Sequence, residues 1–539
     1  MVFILHRYIF RELLKVLIPA TVALTVIMSL LSILRPVQEF GIGPSQVLPI
    51  LGYSLPITLT FVLPLSTLFA VALVYGRFAG DNELDACKAS GISLWTLVYP
   101  GLAIAIIVAT INLLLSFHVV PIFVQLGEST LKSDAKQILF RNIERRGFYD
   151  LPPKGKYVIY ADHANLANDV LSGPIVFTLE RGMVRRIIAA ESAAVKFTSR
   201  QKSNEVQIVA NRIYQMDTEN QQWFYFERLP ITHEFASLLG DNIQFKRIGE
   251  MKKIQANPIE FYPVEAAARQ SHAQLVIELF AQDISLKLSD SNDYYELFGE
   301  PNSIRFRADS CRPNINPNND AKELYLSGQV EVQQYDTDTG ELMQNWYCSE
   351  AALQIEGDEF DPTIKMELYS PRWQRPDGSE GFAAGRRFIP GLLLPAELRH
   401  RLDVHSISNS ASGDIEKSIL EIEPSDKLQR LRDIFNTRVS STLIDIQAEI
   451  HTRLALGISC VPLILIGIAL GVIFRGGHIL TAFGISTIPA LLLTVFLMMG
   501  KNVTKHKGLS LNTGIMLIWL GFVVLVLLAF YLYRKLLKN

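Results

Sequence analysis

Six long stretches of this chain contain no Asp, Glu, Lys or Arg, and they form two groups of three. They are 16–34, 40–76, 89–127, 454–474, 476–500 and 508–533. A helix rises about 1.5 Å per residue and the hydrocarbon layer is about 30 Å thick, so roughly 20 apolar residues can cross it. The pattern predicts six transmembrane helices, with a water-exposed insert between the third and the fourth.

The insert has a different pattern, in which short runs of alternating apolar and polar residues are separated by polar turns. Period-two alternation bounded by Gly, Asn and Asp is typical of antiparallel strands with one buried face. The fold class is therefore predicted as membrane α + β, with 3 + 3 transmembrane helices and a large antiparallel β insert. The predicted strands are 157–160, 175–179, 206–214, 223–226, 304–306, 324–333, 346–353 and 364–368.

The insert has room for two β modules, because residues 128–453 exceed the roughly 100–150 residues of a typical domain. Passages 189–195 and 307–310 each contain Ala, an acidic residue and Ser before a second alternating strand. These passages indicate a duplication, or they resemble each other only as sheet strands in general do. The sequence leaves both interpretations open.

Two helices are predicted inside or beside the insert, at 263–282 and at 425–453, the second with Ser425 or Asp426 as N-cap. The second helix would transmit force to the fourth membrane helix, or it would only pack its apolar stripe on the sheet. The predicted domains are helices 1–3 with their loop (1–127), a first β module (128–260), a second β-rich module (261–424), the connecting helix (425–453) and helices 4–6 (454–539).

The basic residues near the helix ends predict the orientation, because cytoplasmic loops are enriched in Lys and Arg. With both termini in the cytoplasm, the basic residues on that side outnumber those on the other. The cytoplasmic set is Arg7, Arg11, Lys15, Arg77, Lys88, Arg475, Arg534, Lys535 and Lys538, and the other set is Arg35, Lys501, Lys505 and Lys507. The insert then lies outside the cytoplasm.

Composition and motifs exclude several classes of function. The formal net charge of −2 lacks the basic excess of nucleic-acid binding proteins. There is no phosphate-binding loop, no His-Glu-x-x-His motif and no Gly-x-Ser-x-Gly motif, so we expect no catalytic residues, metal or cofactor on this chain. Cys311 and Cys348 share the outer compartment, and the sequence does not decide between a disulfide and two free thiols.

The loop between the second and third membrane helices has the features of a short helix. Gly80 or Asp81 would cap its start, Glu83 and Asp85 suit the positive end of the helix dipole, and Gly91 suits a left-handed stop. Such a helix could receive a push from a cytoplasmic motor. It could equally be a capped turn that only joins two helices.

Arg35 lies at the outer end of the first membrane helix, directly before Pro36. A guanidinium at this level could bind a lipid phosphate through two hydrogen bonds. It could instead serve as an interfacial anchor for the helix. The residue alone does not distinguish these roles.

Four stretches then resemble a known family. They are Arg7-Tyr-Ile-Phe-Arg-Glu-Leu-Leu-Lys15, Leu63-Pro-Leu-Ser-Thr-Leu-Phe69, Asn82-Glu-Leu-Asp-Ala-Cys-Lys-Ala-Ser-Gly-Ile-Ser93 and Glu449-Ile-His-Thr-Arg-Leu454. Their order and topology are similar to those of the LptF/LptG (YjgP/YjgQ) family of lipopolysaccharide export permeases. The resemblance covers nearly all of residues 1–125 and 445–535.

The resemblance implies a subunit of an ATP-binding cassette exporter in the bacterial inner membrane, with a periplasmic β-jellyroll insert. The implied partners are a paired LptF/LptG-type permease subunit, an LptB-type ATPase dimer and LptC/LptA-type jellyroll proteins, and the implied cargo is lipopolysaccharide. The loop becomes the ATPase-coupling helix, and Arg35 becomes a lipid-binding residue. The coupling residues would be Asp81, Glu83, Asp85, Lys88, Ala89 and Gly91.

The enlarged insert departs from the family, whose members usually carry one jellyroll. Residues 304–353 are similar to strands of LptC/LptA/OstA jellyrolls, so a second module would extend the lipid path or replace an LptC-like chain. The alternative function is a membrane-anchored β scaffold without transport activity. The sequence leaves open the LptF-like or LptG-like identity, homodimer or heterodimer assembly, and the lipid cargo.

Overall fold

The structure is a computed structural model of the chain. It describes residues 2–538 except 41–43, 134, 152–156, 167, 181–182, 200–203, 219–221, 236–241, 289–292, 300–301, 314–322, 338, 359–360, 383–384, 396–424, 475–478 and 506–510. The chain divides into two compact units, Met1–Asn257 with Ser441–Asn539, and Pro258–Ser440. The first unit contains the membrane helices and one β sheet, and the second contains another β sheet.

Long helices flank the two sheets in the chain. The helices are α1 (Val2–Phe40), α2 (Pro44–Gly80), α3 (Glu83–Ala89), α4 (Leu94–Leu114), α5 (Val120–Ser133), α6 (Ala135–Arg146), α7 (Ile248–Ala256), α8 (Tyr262–Leu288), α9 (Asp426–Ile473), α10 (Ile479–Lys505) and α11 (Leu511–Lys538). A π-helical turn, Leu115–Val119, joins α4 to α5. Within the described residues, six helical segments are long and apolar enough to cross a membrane, three on each side of the β region. The predicted 3 + 3 arrangement is confirmed.

Small residues allow the membrane helices α2 and α9 to approach closely. A Cβ atom added at Gly471 would lie 2.7 Å from the carbonyl oxygen of Ala72, and one at Gly467 would lie 2.8 Å from Leu68 Cδ1. At Gly471 the obstacle is backbone, so only glycine fits there, whereas at Gly467 the Leu68 side chain would have to move. Such backbone proximity is the usual way in which membrane helices gain packing contacts, because lipid supplies no hydrophobic driving force between them.

Helix α9 is one continuous helix, where the sequence predicted a connector at 425–453 followed by a separate membrane helix. It begins as predicted: Ser425 Oγ accepts a hydrogen bond from the Leu428 backbone N–H at 3.2 Å. The Glu278 carboxylate accepts another from the Ser425 backbone N–H at 3.2 Å. The helix continues without a break from its polar first half into its apolar second half. Pro462 lies within the apolar half and does not end the helix.

The first β module consists of α6 and the antiparallel strands β1–β8. The strands are β1 (Phe148–Leu151), β2 (Tyr157–Tyr160), β3 (His163–Asn165), β4 (Val170–Ser172), β5 (Ile175–Glu180), β6 (Met183–Ser199), β7 (Asn204–Asp217) and β8 (Gln222–Phe235). They pair in the order β1-β2-β5-β6-β4-β3, and β7 pairs with both β6 and β8. Apolar side chains of α6 pack on one face, which we call the inner face, against Ile159, Leu171, Ile188, Val195 and Ile213.

The second β module consists of α8 and the antiparallel strands β9–β17. The strands are β9 (Tyr295–Leu297), β10 (Asn302–Arg307), β11 (Ser310–Pro313), β12 (Glu323–Asp336), β13 (Leu342–Asp358), β14 (Asp361–Tyr369), β15 (Arg372–Gln374), β16 (Glu380–Phe382) and β17 (Arg386–Leu393). Helix α8 packs on the inner face of this sheet, where Leu275, Phe280 and Ile284 join the strands in one apolar core. The Leu393 backbone N–H donates to the Phe298 carbonyl at 2.7 Å, which links β17 to the segment after β9. All eight predicted strands of the insert lie within observed strands.

The two β modules share one pairing scheme. β2 pairs with β1 and β5, as β10 pairs with β9 and the second half of β12. β6 pairs with both β4 and β5, as β13 pairs with the two halves of β12. β7 pairs with β6 along its whole length, whereas in the second module two strands, β14 and β15, pair with β13 in its place. In the same way, the single strand β8 is replaced by β16 and β17, which pair with β15 and β14. The insert therefore contains two copies of one fold.

Unusual backbone positions recur at equivalent places in the two copies. Arg212 (φ 50°) interrupts β7, and Ser370 (φ 47°) separates β14 from β15. Gly173 (φ 60°) and Gly328 (φ 99°) each adopt a left-handed conformation, and an added Cβ would collide with the Asp162 and Asp309 carboxylates respectively. The structure thus supports the duplication, but it pairs residues 191–195 with 349–353, where the sequence suggested 189–195 with 307–310.

Candidate functional site

The predicted loop helix is present as α3, and its polar residues face outward. Asp81, Glu83, Asp85, Lys88, Ala89 and Gly91 are all exposed. With three acidic residues and one basic residue, the segment has a local formal charge of −2. Two acidic residues lie in the first turn and Lys88 in the last, as the helix dipole favours.

The start of α3 differs from the prediction, whereas its end agrees with it. Neither Gly80 nor Asp81 is the N-cap: Asn82 occupies that position with φ 59° and makes no side-chain cap hydrogen bond. The reason is that α2 continues through Gly80, so the chain needs a left-handed residue to turn into α3, and Asn adopts this conformation more readily than other residues with a side chain. Gly91 has φ 80° and provides the predicted left-handed stop.

One apolar side chain fixes α3 to the membrane helices. Leu84 is buried in the same apolar core as Tyr75, Phe78 and Leu97. Cys87 also packs against this core, so one side of α3 is anchored and its polar residues are exposed on the other.

Ends of α1, α2 and α4 meet around α3. The Arg77 guanidinium of α2 donates to Glu12 Oε2 of α1 at 2.9 Å, and Tyr75 Oη donates to the Leu97 carbonyl of α4 at 2.8 Å. The rings of Tyr8 and Phe78 stack with centroids 5.6 Å apart. These contacts join three membrane helices at the base of the exposed loop.

The end of α11 reaches the same region. The Trp95 ring at the start of α4 stacks on the Tyr533 ring with centroids 5.5 Å apart. The N-terminal helix, the C-terminal helix and α3 therefore share one end of the helix bundle.

The other predicted site residue, Arg35, lies within α1, but its side chain is outside the described part of the structure. Its phosphate-binding role stays a prediction. In the described part of the chain, no group of His, Cys, Asp and Glu has the arrangement of a metal site.

A buried ionic cluster, which the sequence analysis did not identify as such, joins α9 and α10. Glu449 and Arg453 of α9 are both buried, and Arg453 Nε donates to Glu449 Oε1 at 2.9 Å. Lys501 of α10 donates to the other oxygen of the same carboxylate. The sequence signal was the Glu449 to Leu454 stretch, whose i, i+4 acid–base spacing is visible without a structure.

Arg453 also holds the segment between the first β sheet and α7. Its Nη2 donates to the Gln244 carbonyl at 2.7 Å and its Nη1 to the Lys246 carbonyl at 3.3 Å, while the Phe117 ring centroid lies 5.6 Å from the guanidinium. One side chain thus connects α9, the π-helical turn and the chain that leaves the β sheet.

The face of the first sheet opposite α6, which we call the outer face, is apolar and exposed. Aromatic rings with exposed fractions of 66% (Trp223), 55% (Tyr214) and 55% (Tyr225) lie on it. A cavity of about 620 Å³ opens on this face, lined mainly by Val158, Tyr160, Ile175, Phe177, Leu179 and Val184. This volume lies within the range of about 300–1,000 Å³ of small-molecule sites, which are usually apolar.

The two cysteines of the second module are free thiols. Burial raises the pKa of Cys311 to about 12 and that of Cys348 to about 11. A partly buried thiol that stays protonated is a poor nucleophile, so neither residue has the features of a reactive cysteine. Both pack against the apolar core of the second module.

A family described as lipopolysaccharide export system permease LptF/LptG matches residues 7–274 and 398–535. No curated protein matches the chain. The gap in the family match, 275–397, begins in α8 and includes every strand of the second β module. The membrane helices, α3 and the first β module lie within the matched parts.

Proposed function

The chain belongs to the LptF/LptG family of lipopolysaccharide export permeases, and we propose that it is the membrane-spanning subunit of an ATP-binding cassette exporter. Family membership makes it a multi-pass inner-membrane permease and not itself an enzyme. The finer proposal is that ATP is hydrolysed on a separate LptB-type dimer, which drives this chain and a paired LptF/LptG-type subunit.

The observation that carries this proposal is the exposed, acidic helix α3, anchored by Leu84 where α1, α2, α4 and α11 meet. A motor that pushes on α3 would act on all these helices at once. The proposed ATPase contacts are Asp81, Glu83, Asp85, Lys88, Ala89 and Gly91. This assignment requires the α3 end of the bundle, with both termini, to be cytoplasmic and the β insert to be periplasmic, in agreement with the distribution of basic residues.

The proposed cargo path continues on the first β module. Its exposed apolar outer face would hold the acyl chains of lipopolysaccharide, since burying apolar surface contributes about 25 cal/mol per Å². From there the lipid would pass to an LptC/LptA-type jellyroll bridge. Arg35 would contact a lipid phosphate at the membrane end of this path.

Charge reversal in α3 tests the coupling. We expect Glu83→Lys to weaken association with the ATPase at least about tenfold, because like charges placed in an interface cost several kcal/mol. Co-purification and ATPase stimulation in nanodiscs measure this effect. The control is Glu144→Lys, an exposed carboxylate on α6 that should leave both readouts unchanged.

Unchanged ATPase binding and lipid export in Glu83→Lys would rule out α3 as the coupling helix. If the wild-type chain copurifies with no ATPase under any condition, the exporter assignment fails and the scaffold alternative stands. The two results are distinct, so the site and the function are tested separately.

A further inference from the structure

The outer faces of the two β modules differ in chemistry although their residues occupy equivalent positions. In the first module, two rows cross the sheet from β1 to β8: Phe148, Tyr160, Ile175, Ala189, Tyr214 and Tyr225, and beside them Asp150, Val158, Phe177, Ile187, Met216 and Trp223. The equivalent rows of the second module are Arg307, Glu331, Tyr347, Arg372 and Phe382, and Glu296, Arg305, Gln333, Asn345, Gln374 and Glu380. Tyr294, directly before β9, extends the first of these rows through its hydrogen bond to Glu331. One face is mainly apolar and the other mainly polar.

The inner and outer faces of the two sheets differ in how strongly the fold constrains their residue types. The inner face is apolar in both copies, as in the pairs Ile159 and Phe306, or Ile188 and Trp346. The outer face is apolar in one copy and polar in the other, with the same strand pairing. Folding therefore does not dictate the composition of the outer face, and its residue types need another explanation.

The two polar rows have an unusual composition. All twelve side chains are planar groups, either aromatic rings or guanidinium, carboxylate and amide groups, and none is Lys, Ser or Thr. An outer sheet face that only contacts water is normally rich in Thr and tolerates Lys. Planar polar groups form paired hydrogen bonds with fixed geometry, and aromatic rings offer a flat apolar surface.

This combination matches the chemistry of a saccharide. A sugar ring presents neighbouring hydroxyl groups that pair with planar polar side chains, and a C–H face that stacks on an aromatic ring. The three Arg and three Glu residues of the rows balance each other, so the face has no net positive charge with which to select a phosphate.

Part of the face is already organised by its own hydrogen bonds. Tyr294 Oη donates to Glu331 Oε2 at 3.1 Å, and Arg305 Nε contacts Glu296 Oε1 at 2.7 Å. On the neighbouring position of the face, Tyr335 Oη donates to Gln333 Oε1 at 2.8 Å. Groups held in place before binding lose less conformational entropy when a ligand arrives.

Another part of the face is exposed to solvent. Tyr347 and Phe382 are exposed, and the Arg372 guanidinium lies 4.6 Å from the centre of the Phe382 ring. Together these residues offer two exposed rings and a guanidinium group within the two rows.

We propose that this polar outer face of the second β module binds the saccharide portion of the exported glycolipid. The identity of that glycolipid rests on the proposed function above. The two modules would then bind different parts of one amphiphilic molecule. The apolar outer face of the first module would contact the hydrocarbon chains, and the polar outer face of the second would contact the sugar.

The test measures binding of a lipid-free oligosaccharide, released from lipopolysaccharide by mild acid, to the full-length chain in nanodiscs. Saturation-transfer NMR should show contact with the wild-type protein. The Tyr347→Ala, Arg372→Gln double variant should bind about tenfold more weakly, since one hydrogen bond to a charged group can account for this factor. Both residues are exposed, so the fold should be retained.

The control is Ile434→Ala, which removes an exposed side chain from α9, outside the sheet, and should leave binding unchanged. Absence of saturation transfer to the wild type, or equal binding by the double variant, overturns the proposal. Displacement of the oligosaccharide by inorganic phosphate would assign the face to anions instead. The assay uses neither ATPase nor transport, so its failure is distinguishable from a failure of the exporter assignment.

Discussion

At the scale of single residues, Arg453 connects several elements of the membrane unit. It is buried, pairs with Glu449 on its own helix and donates to two backbone carbonyls of the segment after the first β sheet. A buried charge without a partner is costly, so the cluster is stable only while all its members are present.

We expect Arg453→Met to lower the unfolding temperature of the detergent-solubilised protein by on the order of 5–10 °C. Loss of one partner from a buried pair costs about 3–5 kcal/mol, because the remaining carboxylate loses a partner in a low dielectric. Differential scanning fluorimetry measures the change. Arg430→Met, at an exposed position of α9, is the control and should stay within about 1 °C of wild type.

The thiols of the second module yield a prediction about pH. Burial raises the pKa of Cys311 to about 12 and that of Cys348 to about 11, from an ordinary value of 9.0. The folded state favours the protonated thiol, so this contribution to stability is complete below pH 9 and is lost as the pH rises towards the folded values.

Alkylation by iodoacetamide at pH 8 should therefore be slow at Cys311 and Cys348 in the folded protein and fast after denaturation. Mass spectrometry of the two peptides gives both rates. Rapid labelling of either thiol in the native state would contradict the raised pKa that its partial burial causes.

At the scale of elements, α3 shows how one glycine defines a helix end. Both Gly91 and Gly249 have open space around the position of a Cβ atom, but only Gly91 has a positive φ, at +80°. A side chain would therefore strain the backbone at Gly91 and would not at Gly249. The two positions form a natural pair for comparison.

We expect Gly91→Ala to destabilise the end of α3 by about 1 kcal/mol and to increase amide exchange across residues 83–92. Gly249→Ala, within α7, should leave exchange in its own helix unchanged or slower, because Ala favours helix over Gly. Hydrogen exchange with mass spectrometry compares the two variants. Equal effects at both positions would show that the left-handed backbone at Gly91 is not required.

At the scale of the whole molecule, the second β module has an apolar core of its own. Leu324, Leu353 and Ile364 are fully buried within it, and the core draws on α8 and Leu428 as well as the strands. The membrane helices and the first β module have separate cores. Cores without shared side chains allow the units to unfold separately.

Leu353→Ala should therefore destabilise Pro258–Ser440 by about 2–5 kcal/mol, the usual cost of a cavity in a packed core. Peptides from this unit should lose amide protection in hydrogen exchange, while those from Leu511–Lys538 should keep theirs. Loss of protection throughout the chain would mean that the two units unfold as one.

The sequence alone determined the two groups of three membrane-length helices, the β character of the insert and the position of the loop helix. It could do so because these features depend on local quantities: the length of an uncharged run, a period of two, and the conformational range of Gly91. The family resemblance also rested on short contiguous stretches, and the family match confirmed it.

Only the tertiary structure decided the features that depend on residues distant in sequence. The cap at Asn82 followed from where α2 ends, which the apolar pattern did not fix. The contacts of Arg453 with Gln244 and Lys246 cross about two hundred positions. The correspondence of 191–195 with 349–353 emerged from strand register, because duplicated strands keep their hydrogen-bonding partners after their side chains have diverged. Strand register also shows that the apolar outer face of the first module and the polar outer face of the second occupy equivalent positions. A local sequence pattern does not contain this information.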